Sequence, residues 1–165
     1  MNSENSREIL VNALAGRLLP FLQSKGFVER KVKNEKKSRE FDIAFPLGHL
    51  KREMLSAVQI IEIQFDKRGG AKFVINFGIL PKNGVRLPWG NFTPEELTAS
   101  SLEESYRLMR FPSIHIWFGL GFIDIDKQNS ANRLADEMVS IFSEAEAWFE
   151  TGVIGKHMRR LGYPH

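Results

Sequence analysis

Two apolar stretches, 55–65 and 71–80, alternate with a period of two and are separated only by Asp66 and the turn Lys67-Arg68-Gly69-Gly70. Alternation sends successive side chains to opposite faces of a strand. The paired glycines supply the positive φ that a tight reversal needs. The segment is therefore expected to be an antiparallel hairpin. Ala57, Ile61, Ile63 and Phe65, with Phe73, Ile75, Phe77 and Ile79 on the returning strand, make one apolar face. Val58, Ile60, Glu62 and Gln64 face the other way, with Asn76 and Gly78. A lone hairpin is marginal in water, so its apolar face demands cover from elsewhere in the chain.

Two amphipathic segments can provide it. Near the start, Ile9, Leu10, Ala13, Leu14, Leu18, Phe21 and Leu22 recur at helical spacing after a possible cap at Ser3 or Ser6. Gly26 suits the left-handed residue that closes such a helix. Pro20 removes one hydrogen bond and crowds the carbonyl of Gly16, which predicts a kink or break near 16–20. Near the end, Leu134, Met138, Ile141, Phe142, Ala145, Trp148 and Phe149 step by three and four, with Asn129 or Ser130 as cap and Gly152 as stop.

Shorter elements fill the rest. A strand is expected over 27–32, a charged turn near 34–37, and a second strand over 41–47 that Pro46 ends or confines to an edge. Residues 81–93 read as a loop carrying Trp89. Thr93-Pro94-Glu95-Glu96 has the pattern of a capped helix start and Ser101-Leu102-Glu103-Glu104 repeats it, so one bent helix or two short ones are expected over 94–109. A last strand is expected over 114–118. The whole chain, 1–165, reads as one α+β domain: a mostly antiparallel sheet of about four or five strands, with N- and C-terminal helices packed on one face.

Composition removes several function classes. The chain has no cysteine, so disulfides, thiol nucleophiles and Cys-ligated metal centres are excluded. No apolar run reaches the 18 or so residues of a membrane span, and the first residues lack a secretory pattern. The expected location is the cytoplasm, and Asn91-Phe92-Thr93 is then not a glycosylation site. The four histidines are dispersed and form no metal-ligating pair. Gly119-Leu120-Gly121 lacks the third glycine of a dinucleotide fingerprint, and no Gly-x-Ser-x-Gly elbow occurs. No cofactor or catalytic residue is assigned.

Four features remain as candidates. Glu62, Gln64, Asp66, Lys72 and Asn76 make a polar strip that is a site if covered and the wet face of the sheet if not; the wet face is the expectation. His115 reads as a hydrogen-bonded sheet residue, and Asp124 and Asp126 as acids leading into the last helix. Residues 30–39 hold Arg30, Lys31, Lys33, Lys36, Lys37 and Arg39 against one Glu, a local +5 in a chain of net +3. They form either a solvated hairpin tip or a phosphate-contacting patch. Trp89, Phe92, Phe111 and Trp117 exceed what one sheet face needs, which suggests a partner surface or a second small core.

One resemblance adds to this. Leu18-Leu19-Pro20-Phe21-Leu22-Gln23-Ser24-Lys25-Gly26-Phe27, a basic stretch, the strand 58–65 and then Lys72-Phe73-Val74-Ile75-Asn76-Phe77-Gly78-Ile79 resemble the bacterial domain of unknown function 4304 over about residues 10–80. Phe77 stands where that family's pattern has Leu, and 81–113 is a long insertion relative to it. The resemblance implies no reaction and at most a protein-binding role of toxin-immunity or accessory type. The leading expectation is thus a non-enzymatic protein-interaction module. Weak nucleic-acid binding through 30–39 is the alternative, and an enzyme using Glu62, Asp66 or His115 is a third reading.

Overall fold

The computed structural model describes residues 3–33 and 39–162. Helix α1 (Ser3–Ser24) buries Leu10, Leu14, Leu18 and Leu22, one residue per turn on a single stripe. It closes as predicted at Gly26. The Phe27 N–H donates to the Leu22 carbonyl and the Gly26 N–H to that of Gln23, with Gly26 at φ +90°. These two hydrogen bonds satisfy carbonyls left open by the helix end. Of the kink or break expected near 16–20, the break does not occur: the helix runs on through Pro20. Burial of Leu14 and Leu18 before it and Leu22 after it holds both halves on the same core, which outweighs one missing hydrogen bond. Ser6 lies inside the helix and accepts a hydrogen bond from Lys127 Nζ at 2.6 Å, so it is not the cap.

The chain continues through β1 (Val28–Arg30), α2 (Arg39–Ala44), β2 (His49–Glu53), β3 (Ala57–Phe65) and β4 (Lys72–Pro81). A small hairpin, β5 (Val85–Leu87) and β6 (Gly90–Phe92), stands apart from the main sheet. Two single-turn 3-10 helices (Pro94–Glu96 and Ala99–Ser101) lead to β7 (Ser105–Leu108), and a third, Pro112–Ile114, precedes β8 (Phe118–Gly119). Helix α3 (Lys127–Thr151) and β9 (Met158–Arg160) complete the described residues. The main sheet is antiparallel, in the order β1-β2-β3-β4-β7-β9, with β8 also pairing β4. Among the described residues it has seven strands, more than expected.

Three expected elements are corrected. Residues 41–47 are not a strand: α2 takes their first half. Phe41 and Phe45 are four apart as well as even-spaced, and the helical period brings both rings onto His49, at 5.4 and 4.6 Å. Residues 94–109 are not helical beyond the two single turns, because 105–108 are drawn into pairing with the open edge of β4. The strand expected over 114–118 shrinks to Phe118–Gly119, with His115 in the left-handed region at φ 54°. The cap of α3 also differs: Asp126 accepts from the Asn129 N–H at 3.0 Å, so neither Asn129 nor Ser130 fills that place.

α1 and α3 pack together on one face of the sheet, as expected. Phe142 meets Phe21 and Phe27 edge to face at 6.0 and 5.9 Å, and Phe77 meets Trp148 at 5.5 Å. Arg52 ties β2 to α3 by two 2.9 Å bonds to Glu146 while lying 4.4 Å over the Phe27 ring. A second, smaller core of Val58, Ile60, Leu80, Leu97, Ala99 and Leu102 covers part of the opposite face. Among the described residues no helix is long and apolar enough to cross a membrane.

Because Pro20 is exposed inside a continuous helix, Pro20→Ala should restore a hydrogen bond without disturbing the core. The expected gain is about 2 kcal/mol after allowing for the looser unfolded chain. Urea denaturation measures it; an unchanged or lower midpoint would mean that the proline shapes the packing.

Candidate functional site

On the face turned away from α1 and α3, the strand register lines up one polar residue per strand. Arg30 lies opposite His49, His49 opposite Glu62, Glu62 opposite Asn76, Asn76 opposite Arg107, and Arg107 opposite Arg159. The row crosses six strands. Its first four members are almost fully buried: Arg30 is 6% exposed, His49 5%, Glu62 1% and Asn76 2%.

Glu62 Oε1 accepts from the Ala99 N–H at 3.0 Å and lies 3.8 Å from Arg30 Nη1 and 3.6 Å from His49 Nδ1. Arg30 Nη2 donates to the Pro94 carbonyl at 2.9 Å and to that of Leu97. Together the two side chains grip the backbone of 94–99 and press it onto the sheet. Burial lowers the Arg30 pKa, while Glu62 and then Glu95 act to raise it. Among the described residues, Arg30 Nη1 and both ring nitrogens of His49 have no hydrogen-bond partner.

This overturns the expectation of a wet face at Glu62 and Asn76. The strip is covered by a segment more than thirty residues further along the chain. The residues named as alternatives for an enzyme reading, Glu62, Asp66 and His115, are not brought together. Asp66 stays at the β3–β4 turn, where it accepts from the Arg68 N–H at 3.1 Å and lies 3.7 Å from Lys72 Nζ, while His115 is exposed on a separate loop. No group of His and carboxylate side chains suited to a metal occurs among the described residues. Asp124 accepts from the Gly121 N–H at 2.7 Å and from Ser130 Oγ at 3.2 Å, and Asp126 caps α3, so both organise the helix entry.

The gripped segment and the β5–β6 hairpin form the two walls of a groove of about 850 Å³. Ile79, Val85, Leu87, Phe92 and Leu102 give it an apolar lining, and Trp89, 76% exposed, stands on its rim. Its charged members are Glu96, Glu103 and Glu104, with no cationic lining residue among the described ones. Gly84 makes the hairpin possible, since at φ +81° a Cβ there would lie 1.9 Å from the Phe92 carbonyl oxygen. Glu96 accepts from the Thr93 N–H at 2.7 Å and its hydroxyl at 3.1 Å, and these bonds hold its carboxyl below the ordinary glutamate range.

The four aromatics singled out from the sequence do not form one surface. Trp89 and Phe92 share the groove, Phe92 also packing on the second core. Phe111 is exposed and bridges Ile116, and Trp117 lies beside Lys72 and Arg107. The basic cluster is also divided. Arg30 is withdrawn into the buried row, Lys31 and Lys33 remain exposed beside β1, Arg39 opens α2, and Lys36 and Lys37 lie outside the described residues. A cavity of about 520 Å³ near them is lined by Arg30, Lys31, Lys51 and Lys82 but also by Glu29, Glu53 and Glu95, so its charges nearly balance. Sequence reasoning passed over Phe122, Ile123 and Ile125, all fully exposed before α3. The available signal was that three of the four residues between Gly121 and Asp126 are apolar although they immediately precede a helix start.

Comparison with family models, curated proteins and solved structures gives no match.

Replacing Glu62 with Leu strands the buried Arg30 without its counter-charge. The expected loss is about 3–5 kcal/mol in urea denaturation, with amide exchange rising first over 94–102. A combined Arg30→Met and Glu62→Leu variant should recover part of that loss; equal damage in the double variant would show that the pair is not coupled. A second expectation concerns acid. The Glu96 carboxylate contributes stability above the ordinary glutamate pKa, and this is lost as pH falls through its lowered folded value. The Thr93 amide resonance should therefore titrate below the ordinary glutamate range and become flat in Glu96→Gln. A midpoint at the ordinary value would contradict the hydrogen bonding described.

Proposed function

We propose that this chain is a non-enzymatic interaction module that receives a segment of another protein in the groove rimmed by Trp89. The observation that carries the reading is Trp89 itself, 76% exposed above an apolar channel and held there by a glycine-dependent hairpin. A large aromatic left open beside a concave apolar surface is what a binding anchor requires. Glu96, Glu103 and Glu104 set the polarity of the rim, so the complementary segment carries apolar side chains flanked by Lys or Arg.

The most buried carboxylate supports a binding rather than a catalytic role. Glu62 spends its hydrogen bonding on the Ala99 amide and lines neither cavity, so its carboxylate is engaged in holding the groove wall. A toxin-immunity or accessory role is the specific form we propose, and it rests on the resemblance over residues 10–80.

A displayed library of random peptides tests the binding reading without a known partner. Selection on the wild-type chain should enrich sequences that combine an apolar residue with Lys or Arg, and Trp89→Ala should weaken their binding at least about tenfold. Failure to enrich any peptide, or peptides indifferent to Trp89→Ala, would remove the groove as the site.

A further inference from the structure

The buried polar row ends differently from how it begins. Arg107 on β7 and Arg159 on β9 are direct cross-strand neighbours on the same face. Like charges at that spacing repel. Neither guanidinium takes part in an ion pair among the described residues. Arg107 is nevertheless held in place: its Nε donates to Asn76 Oδ1 at 2.7 Å and its Nη2 to Gln64 Oε1 at 3.0 Å. Asn76 Nδ2 donates to the same Gln64 oxygen at 2.8 Å and closes the net. Both acceptors are neutral amides, and Arg107 Nη1 is left without a protein partner among the described residues.

Burial lowers the Arg107 pKa, Glu62 opposes this, and the charge of Arg159 adds to it. Glu62 attracts Arg107 only from across Asn76 and is engaged by the Ala99 amide. Arg159 is exposed and donates from Nη1 to the Pro112 carbonyl at 3.0 Å, which draws it over the loop that carries Trp117. The Trp117 ring lies 5.9 Å from the Arg107 guanidinium carbon and 5.8 Å from Lys72 Nζ. Lys72 already has Asp66 at 3.7 Å, so the uncompensated pair is Arg107 and Arg159.

We infer that Arg107 and Arg159 form a binding site for the phosphate of a small phosphate monoester, with Trp117 as its apolar wall. Two fixed guanidinium groups offer the forked donors that phosphate oxygens accept. A monoester carries about −1.5 to −2 charges near neutral pH, which matches two cations. A nucleic-acid strand, with one charge per phosphate, would call for a longer track of cations than this pair.

Inorganic phosphate is the first probe, with chloride at equal ionic strength as reference, followed by thermal unfolding and calorimetry. Phosphate should raise the midpoint of the wild-type chain, and Arg159→Gln should weaken binding at least about tenfold, the loss expected for one charge-assisted contact. Arg160→Gln removes the same charge from the other face of β9 and should leave binding intact. Adenosine monophosphate should bind more tightly than inorganic phosphate, and Trp117→Ala should erase that difference alone. No phosphate effect beyond chloride, or equal losses in Arg159→Gln and Arg160→Gln, would overturn the site. A single-stranded oligonucleotide binding more tightly than the mononucleotide, with steep salt dependence, would overturn the monoester assignment.

Discussion

The pairing of β3 with β4 decides both faces of this sheet at once. Nine residue pairs run from Ala57 opposite Pro81 to Phe65 opposite Phe73. Because side chains alternate, a slip of one residue on either strand would turn its apolar set away from α1 and α3. It would also bring Glu62 or Asn76 into a layer filled by Phe77, Phe142 and Trp148. The cost of an unpaired carboxylate there would exceed anything the slipped pairing could gain. The hydrophobic face thus fixes the register, and the register in turn sets the polar row.

The row then does on the second face what shape complementarity does on the first. Arg30 and Glu62 are nearly dry, and an ion pair taken out of water is seldom stabilising relative to well-packed apolar side chains. Its distinctive property here is direction. Arg30 supplies donors for two backbone carbonyls and Glu62 an acceptor for one backbone amide, all within 94–99. Leucines at both places could fill the volume, but they would leave the Leu97 carbonyl and the Ala99 amide buried without partners, at about 1–3 kcal/mol each. The charges select one path for the segment, and with it one shape for the groove wall. Packing of Leu97, Ala99 and Leu102 then consolidates the choice.

Local patterns were legible and non-local cover was not. The hairpin, the Schellman closure at Gly26 and the stripe of α3 follow from spacing alone, because the alternation, a positive-φ glycine and a period of 3.6 are properties of neighbouring residues. Phe41, Ile43, Phe45 and Leu47 satisfied a strand pattern equally well, and the helical arrangement sets two of these rings against the His49 ring placed by β2. Glu62 looked solvent-facing because its cover comes from Ala99, and nothing near Glu62 in the sequence announces that. Trp89 and Phe92 were visible as surplus aromatics and do share a groove. Phe111 and Trp117, alike in composition, went elsewhere because the short turn at Pro112–Ile114 and the bridge from Phe111 to Ile116 redirect the chain. The significance of Arg107 and Arg159 was hidden for the same reason as that of Glu62: they become neighbours only once β7 and β9 pair.

The two ends of the row show how burial governs which charges a protein must neutralise internally. Arg30 is almost wholly enclosed, so its charge has to be met by Glu62 and by backbone carbonyls; water cannot do it. Arg159 is exposed and Arg107 only half-buried, and at the sheet edge solvent screens their repulsion enough for both to persist without a carboxylate. That screening is weaker than a direct contact. An oxyanion seated between them would replace loosely held water with charge-assisted bonds to a guanidinium that Gln64 and Asn76 have already oriented, so little ordering remains to be done when it binds. The same cross-strand geometry therefore yields a closed structural clamp where the face is dry and an open, pre-oriented cationic pair where it meets water.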